Sequence, residues 1–317
     1  MLKKYLLFFF QLILLLILLV VLSKQIGTWS LLVEQWQAIA QYNAILTYSL
    51  IITVTLLSML NYLVEARRWQ FLLQHTLSIS LLAALQSVLA GTSLGIITPN
   101  RVGEFGGRVL TLPQQQAKAA LIMAVGQLAQ LIVTLGASAI GFAYYMYKKP
   151  LLPIWTIQVI IVGSIVIWFL LVAIYYYGIV YLPKVVWLKH WTTVKNTLQQ
   201  YTKKELQIVL LWSLLRWVIY VVQYVLLLVA FGIEADGVMM VGMVCSSYFA
   251  QTLLPTFGLA EIGIRGNVAV FFAQTFSTSP HSAVLLASIM LWCINLGVPA
   301  LLGWFFLSKF NTAKNKL

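Results

Sequence analysis

Long apolar runs constrain this chain more than any other feature of its sequence. Runs of about 18 residues or more recur along the chain, and a run of that length can cross the hydrocarbon core of a bilayer as one helix. A mean hydropathy of +0.94 with only 9% charged residues fits such a chain and excludes a soluble globular domain. We therefore predict an all-α, polytopic membrane protein with a single transmembrane domain over residues 1–317.

The apolar runs divide the chain into two similar halves. They lie near residues 5–23, 44–64, 80–98, 117–146, 153–178, 206–231, 238–254, 266–276 and 283–308. Residues 1–43 are predicted to be an anchor helix and an external loop, because the first run lacks a signal-peptide cleavage site. Residues 44–178 then form the first half and residues 206–317 the second half.

The positions of lysine and arginine distinguish two topologies. If the apolar segments cross the bilayer to give eight spans, the loops and termini carry no charge bias between the two sides. If residues 80–116 and 238–276 are instead re-entrant hairpins, about six full spans remain. Apart from the three arginines in the hairpins, only Lys24, Lys148 and Lys149 then fall outside. Positive-inside bias favours this second arrangement, in which both termini are cytoplasmic.

The segment that joins the halves, residues 179–204, has a helical stripe of its own. Large apolar and aromatic side chains recur at steps of four and three residues, at Trp187, Trp191, Val194, Leu198 and Tyr201. Lysines occupy the opposite face. The pattern predicts a helix in the cytoplasmic interface, with its rings towards the acyl chains. An ordinary juxtamembrane linker with an aromatic belt remains the alternative.

Charged residues interrupt the apolar pattern in two related stretches. Residues 98–108 read TPNRVGEFGGR, and residues 253–266 read LLPTFGLAEIGIRG. In each copy a proline is followed, within a few residues, by Glu-x-Gly-x-Arg. The copies occupy corresponding places in the two halves, and such paired interruptions mark the substrate site in many transporters. We therefore predict an inverted repeat whose hairpins enter the membrane from opposite faces.

Proline and glycine are predicted to shape both hairpins. Proline stops the incoming helix, and glycine lets the chain turn where a side chain would clash. The residues expected to do this are Pro99, Gly103, Gly106 and Gly107 in the first hairpin, and Pro255, Gly258 and Gly263 in the second. The returning helix would then begin within the membrane, with its free N–H groups and positive dipole end near mid-depth.

The charged residues of these stretches are the predicted substrate-binding groups. They are Arg101, Glu104, Arg108, Glu261 and Arg265, together with Arg216 from the middle of segment 206–231. Arginine beside a helix N-terminus suits a phosphate. Glu104 and Arg108 are four residues apart, as are Glu261 and Arg265, so each pair can also neutralise itself and only pin its hairpin.

Arg216 needs a partner because it lies deep within an apolar segment. Glu104 and Glu261 are the natural candidates, and whether Arg216 meets substrate or only braces the bundle stays open. Other polar side chains share single helix faces and are predicted to hydrogen-bond between helices. These are Ser58, Asn61, Glu65, Arg68, Gln127, Gln130 and Thr134.

These stretches resemble the lysylphosphatidylglycerol synthase transmembrane-region family. TPNRVGEFGGR is similar to that family's P-x-R-x-G-E region, and ARRWQFLL (66–73) to the stretch that follows its second helix. LLPTFGLAEIGIRGNVAVFF is similar to its second glycine-rich segment, but Thr256, Phe257 and Leu259 stand where proline or glycine is more usual. The resemblance implies lipid handling, and flipping of aminoacylated phospholipid in some members. The chain ends soon after its last apolar run, so no soluble synthase domain is expected.

The leading functional prediction is a flippase or transporter in the bacterial inner membrane for an anionic or polyprenyl-phosphate-linked envelope lipid. Its partners would be that phospholipid or lipid-linked substrate and a separate lipid-modifying enzyme or glycosyltransferase. An integral membrane transferase and a non-transporting scaffold for envelope synthesis are the alternatives. No catalytic constellation, metal site or cofactor motif is found, and the spread of the +13 net charge between apolar runs argues against nucleic acid.

Overall fold

The structure, a computed structural model, describes residues 29–112, 115–178, 196–254, 260–274 and 281–314. The predicted anchor run 5–23 lies outside these residues, as do Pro255 and Gly258 of the second hairpin. Five helices of the described part are long and apolar enough to cross a membrane, and all five coincide with predicted segments. The prediction of an all-α, polytopic membrane protein is therefore confirmed.

We number the helices in chain order over the described residues. They are α1 (Trp29–Leu73), α2 (Leu81–Ile96), α3 (Gly103–Leu110), α4 (Gln116–Lys148), α5 (Ile154–Ala173), α6 (Lys203–Ala230), α7 (Gly237–Leu253), α8 (Ala260–Ala273), α9 (His281–Trp292) and α10 (Val298–Lys314). Two π-helical turns, Ile174–Gly178 and Cys293–Gly297, extend α5 and join α9 to α10.

Helix α1 is longer than the sequence predicts. The external loop predicted after the anchor run, up to residue 43, is helical from Trp29 onwards, where the structure describes it. The physical reason is local: the sequence from Trp29 to Leu73 contains neither proline nor glycine, so nothing in it terminates a helix.

The first hairpin consists of α2, a tight turn and α3. The Ser80 side chain caps the start of α2 by accepting a hydrogen bond from the Ala83 amide at 3.2 Å. At the other end, the Thr98 hydroxyl accepts from the Gly103 amide at 2.7 Å and so caps the start of α3. Between them, Asn100 and Arg101 have positive φ angles of 48° and 57°, a conformation that non-glycine residues seldom adopt.

The glycines of the first hairpin hold α2 and α3 together. A Cβ atom on Gly103 would lie 2.1 Å from the Leu94 carbonyl oxygen, and one on Gly107 would lie 2.4 Å from that of Ala90. A Cβ on Gly106 would meet nothing within 4 Å. The expectation that glycine makes the turn is therefore wrong for this hairpin: Asn100 and Arg101 make it, and Gly103 and Gly107 allow close packing.

The second hairpin consists of α7 and α8. The Asp236 carboxylate caps α7 by accepting from the Met239 amide at 3.2 Å. Helix α8 packs against α7 within the hairpin and also against α9 outside it. At that contact a Cβ on Gly266 would come within 2.4 Å of Leu285 Cδ1.

Helix packing relates the two halves of the chain. Helices α1 and α6, the first of each half, pack against each other. Helix α2 packs on α10, and α7 packs on α4, so exchanging the halves exchanges these two contacts. Each contact includes a glycine, Gly303 on α10 and Gly141 on α4. A Cβ on Gly303 would lie 1.9 Å from the Leu89 carbonyl oxygen, and a Cβ on Gly141 would lie 2.3 Å from Cys245 Cβ. The inverted orientation of the halves stays a prediction.

The described end of segment 179–204 packs into the protein. Residues 179–195, with most of the aromatic stripe, lie outside the described residues. Leu198 and Tyr201 are buried, and the Tyr201 hydroxyl donates to the Leu72 carbonyl at the end of α1. The expectation that Tyr201 faces the acyl chains is therefore wrong, because its hydroxyl satisfies a helix-end carbonyl.

The π-turn Cys293–Gly297 is tied to α1. A π-turn carries an extra residue, which leaves backbone carbonyl groups without their helical partners. The Tyr62 hydroxyl donates to the Asn295 carbonyl at 2.8 Å, and the Ser58 hydroxyl donates to that of Ile294 at 3.3 Å. These two hydroxyls on α1 therefore supply the donors that the interrupted helix lacks.

Candidate functional site

A polar cavity of about 240 Å³ lies at the meeting point of the two halves. Helices α1 to α4 line it from the first half, and α6 to α9 with the π-turn Cys293–Gly297 line it from the second. Its charged lining side chains are Glu65, Arg101, Glu104, Arg108, Arg216 and Arg265. Five of the six predicted substrate-binding residues therefore reach one cavity. The sixth, Glu261, is buried beside Arg265.

Glu65 is the centre of the charge network, which sequence reasoning did not anticipate. Its carboxylate oxygens lie 2.7 Å from Arg68 Nη2, 2.6 Å from Arg108 Nη1 and 2.7 Å from Arg216 Nη1. These guanidinium groups come from α1 itself, from α3 and from α6. One carboxylate therefore holds together the first hairpin and the leading helices of both halves.

The partner of Arg216 is Glu65. The prediction that Glu104 or Glu261 would pair with Arg216 is therefore wrong, because α1 and α6 pack side by side and bring Glu65 within reach. Arg216 also donates to the Asn61 side-chain oxygen at 2.9 Å and to that of Gln130 at 3.1 Å. With these contacts Arg216 braces three helices while it lines the cavity.

The polar stripes hydrogen-bond between helices, as predicted, except at Thr134, whose hydroxyl accepts from Gln130 on the same helix at 3.3 Å. Arg68 donates to Ser213 Oγ at 2.6 Å and to Gln130 at 3.2 Å, and Ser58 reaches the π-turn. The prediction is incomplete for Glu65, Gln127, Gln130 and Thr134, because these side chains also line the cavity. Some of the side chains that connect the helices therefore also line the polar cavity.

Glu104 is held mainly by the residue that makes the hairpin turn. It forms a close ion pair with Arg101, whereas Arg108 Nη2 lies 3.8 Å from its other oxygen. Gln127 also donates to Glu104, at 3.3 Å. The predicted pair of Glu104 with Arg108 exists but is loose, since Arg108 makes its closer contact with Glu65. Glu104 also lies in the first turn of α3, where the helix dipole favours a carboxylate.

The second hairpin contributes the predicted pair of Glu261 and Arg265. Arg265 Nε donates to the Glu261 carboxylate at 2.8 Å, and Nη2 does so at 2.5 Å. Glu261 also lies close enough to Arg101 for their charges to interact. Arg101 of the first hairpin and Arg265 of the second therefore line the same cavity.

The arginines of the cavity differ in how much of each is accessible. The side chains of Arg101 and Arg265 are 29% and 25% exposed, whereas that of Arg108 is 6% exposed and that of Arg216 is 13% exposed. Arg108 and Arg216 are held by the buried carboxylate of Glu65. Each hairpin thus presents one accessible guanidinium group to the cavity.

A second cavity, of about 1010 Å³, is almost entirely apolar. It lies between α4, α5 and α6, with Ile132, Gly136, Trp168 and Leu211 among its lining residues. Helix α4 thus contributes to both cavities, with Gln127 and Gln130 to the polar one and Ile132 and Gly136 to the apolar one.

The family described as the lysylphosphatidylglycerol synthase TM region matches residues 6–310. The chain belongs to this family. The match includes both hairpins and every helix that lines the polar cavity, which confirms the resemblance in the sequence. No curated protein and no solved structure matches the chain significantly. Membership and the five long apolar helices agree on a membrane location.

Glu65 could have been found from the sequence by elimination. The chain has only seven acidic residues, and Glu65 is the one that directly follows an apolar segment outside the two motifs. Asn61 and Arg68 lie one turn before and after it on the same face. A deep arginine such as Arg216 needs an acid, and this stripe offered one.

Proposed function

We propose that this protein moves a lipid with a phosphate-bearing headgroup across the bacterial inner membrane, either an anionic phospholipid or a polyprenyl-phosphate-linked envelope lipid. The observation that carries the proposal is the polar cavity between the halves, which four arginines and only two carboxylates line. Arginine binds phosphate oxygens through paired N–H donors, and a water-poor site strengthens such contacts.

In this proposal the arginines have two roles. Arg101 and Arg265 contact the phosphate directly, because they are the most exposed and come from opposite hairpins. Arg108 and Arg216 supply positive charge from fixed positions, since Glu65 holds both. Glu104 and Glu261 tune the two contacting arginines and drive the lipid's passage by exchanging partners with the phosphate.

The lipid part of the proposal rests on the family and on the apolar cavity. The family's description names a lipid synthase, so a lipid is the natural cargo for its membrane region. The apolar cavity provides space for hydrocarbon on the other side of α4 from the polar one. Transport is favoured over transfer chemistry because each carboxylate of the cluster contacts a guanidinium group and none is left as a general base.

We also propose that both hairpins are re-entrant and inverted relative to each other. Helix α3 has 8 residues and α2 has 16. At ~1.5 Å per residue they are roughly 12 Å and 24 Å long, whereas the hydrocarbon core is ~30 Å thick. The exchange of packing partners between the halves supports the repeat.

The transport proposal is tested by an assay in proteoliposomes with headgroup-labelled phospholipids and a labelled polyprenyl-phosphate sugar. The wild-type protein should accelerate exposure of at least one of them on the opposite leaflet. Arg101→Gln should abolish this acceleration. Arg67→Gln is the matched control, because Arg67 is exposed and hydrogen-bonds Gln70 outside the cavity. Full transport by a folded Arg101→Gln protein would contradict the proposal.

The topology is tested by cysteine labelling in a background that lacks Cys245 and Cys293. Single cysteines at Val102 in the first hairpin and Ile264 in the second should react with membrane-impermeant maleimide from opposite sides. Equal labelling of both positions from one side would show that the hairpins do not enter from opposite faces.

A further inference from the structure

The described charge cluster around the polar cavity is not neutral. Five guanidinium groups belong to it, those of Arg68, Arg101, Arg108, Arg216 and Arg265, and three carboxylates, those of Glu65, Glu104 and Glu261. Arginine keeps its charge in proteins, and each carboxylate lies against at least one guanidinium group as an ionised acid would. Five positive and three negative charges leave a net charge of +2.

Such an excess is costly in a low-dielectric interior unless an anion enters. Among the described lining residues of the cavity there is no further acid. Several lining donors also have no partner: Nε of Arg101, Nε of Arg108 and the indole Nε1 of Trp292. Counted over the whole residue, Arg108 and Trp292 are 5% and 8% exposed, so the donors of these two residues are shielded from bulk water. The site therefore offers an incoming anion an excess of positive charge, and the partly exposed guanidinium groups of Arg101 and Arg265 offer it N–H donors.

We infer that the cavity prefers a lipid phosphate monoester, a dianion, over a phosphodiester. The inference rests on the proposed function and narrows its substrate class. Phospholipids with an esterified headgroup and polyprenyl-phosphate sugars are phosphodiesters, so they should bind less tightly than a lipid that ends in a free phosphate. A monoester carries about −1.5 to −2 charges near pH 7 and three terminal oxygens, because its second pKa is about 6. It therefore matches the cluster's net charge of +2, which a singly charged diester neutralises only by half.

The same charge balance argues against a cationic headgroup. A lysine-bearing lipid would bring ammonium groups into a cavity whose carboxylates already contact arginine. Repulsion between like charges in a partly buried site costs more than it does in water. We therefore expect this chain to discriminate against an aminoacylated lipid.

The test is a titration of the purified full-length protein with two probes that differ by one methyl ester: monododecyl phosphate and methyl dodecyl phosphate. At pH 8 the monoester should bind at least about tenfold more tightly. Below about pH 6 the probe gains a proton and becomes a monoanion, so the preference should shrink. The lysine ester of dodecanol, with the same chain, should bind more weakly than either.

Variants of the second hairpin test the charge balance itself. Arg265→Gln lowers the net charge to +1 and should bring the two affinities close together, whereas Arg67→Gln should leave the preference unchanged. A persistent monoester preference in a folded Arg265→Gln protein would contradict the role of the net charge.

The outcomes separate this inference from the transport proposal. Equal binding of both phosphate probes would overturn the monoester preference and leave phosphate-lipid transport standing. Binding of neither probe would overturn the phosphate site on which the transport proposal depends. Inorganic phosphate serves as a chain-free dianion: if it bound as tightly as monododecyl phosphate, the ligand would be a soluble phosphate and the lipid assignment would fail.

Discussion

The two hairpins carry the same Glu-x-Gly-x-Arg pattern but use it differently. In the first, α2 and α3 are drawn together by Gly103 and Gly107, and Arg108 reaches out of the hairpin to Glu65 on α1. In the second, Gly266 faces Leu285 of α9, and Arg265 pairs within its own helix with Glu261.

The difference shows that a repeated motif fixes which charges reach the cavity but not which contacts they make. Aligning Pro99 with Pro255 places Ser247 and Gln251 where the first hairpin has Gly91 and Gly95. Side chains therefore occupy the space that glycine leaves free between α2 and α3. The first hairpin is therefore held together by close packing of its own two helices, whereas α8 of the second also packs against α9.

The largest effect is expected from removing the acid that the first hairpin shares with α1 and α6. Glu65→Gln leaves three guanidinium groups without their common buried carboxylate, and losing one partner of a buried ion pair costs about 3–5 kcal/mol. Glu261→Gln removes one ion pair, with the partly exposed Arg265, and should cost less. Thermal unfolding of both variants in the same detergent measures the difference, and equal losses would contradict the central role of Glu65.

A smaller effect is expected at the contact between α2 and α3. Gly107→Ala puts a Cβ 2.4 Å from the Ala90 carbonyl oxygen and should destabilise the protein by about 1–3 kcal/mol. Gly106→Ala, one residue away, meets nothing within 4 Å and should change stability by at most about 0.5 kcal/mol. Unfolding temperatures of the pair give the comparison. A loss for Gly106→Ala as large as that for Gly107→Ala would show that helix contact is not the reason for glycine.

The smallest expected effect is a partial recovery of stability, which should distinguish the contact of α7 with α4 from the contact of α2 with α10. Gly141→Ala would meet Cys245 Cβ at 2.3 Å, so adding Cys245→Gly should recover part of the lost stability, of the order of 1 kcal/mol. Gly303→Ala would meet the Leu89 carbonyl oxygen at 1.9 Å, and no substitution of Leu89 removes that atom. Recovery of Gly303→Ala by Leu89→Gly would contradict this difference.

Much of the fold could be predicted because a chain that crosses the hydrocarbon core of a bilayer must hydrogen-bond its own backbone groups, as a helix does. Five of the apolar runs are membrane-length helices, and the motif arginines and Glu104 line one cavity, since each feature depends on local sequence. The sequence predicts too short a helix α1, because an apolar run marks the part that crosses the membrane and not the ends of the helix. Its polar extension from Trp29 contains nothing that would stop it.

The sequence offers Glu65 as a partner for Arg216, but it does not show that three arginines share this carboxylate. Its three partners come from residues 68, 108 and 216, and their meeting depends on how α1, α3 and α6 pack. The sequence also predicts that glycine makes the turn of the first hairpin, whereas Asn100 and Arg101 have the positive φ angles there. Glycine is the residue type that most easily adopts a positive φ angle, which is why the sequence suggests it for the turn. In the structure, Gly103 and Gly107 instead lie where α2 and α3 pack closely.

The π-turn Cys293–Gly297 determines which side of the following helix, α10, faces the rest of the protein. One extra residue turns the rest of a helix by about 100° relative to an uninterrupted α-helix. With this rotation Gly303 faces the Leu89 carbonyl group of α2. Without it, Gly303 would face away from α2 and a bulkier side chain of α10 would lie at the contact. A single inserted residue, anchored by Tyr62 and Ser58, thus decides which side of the last helix docks on the first hairpin.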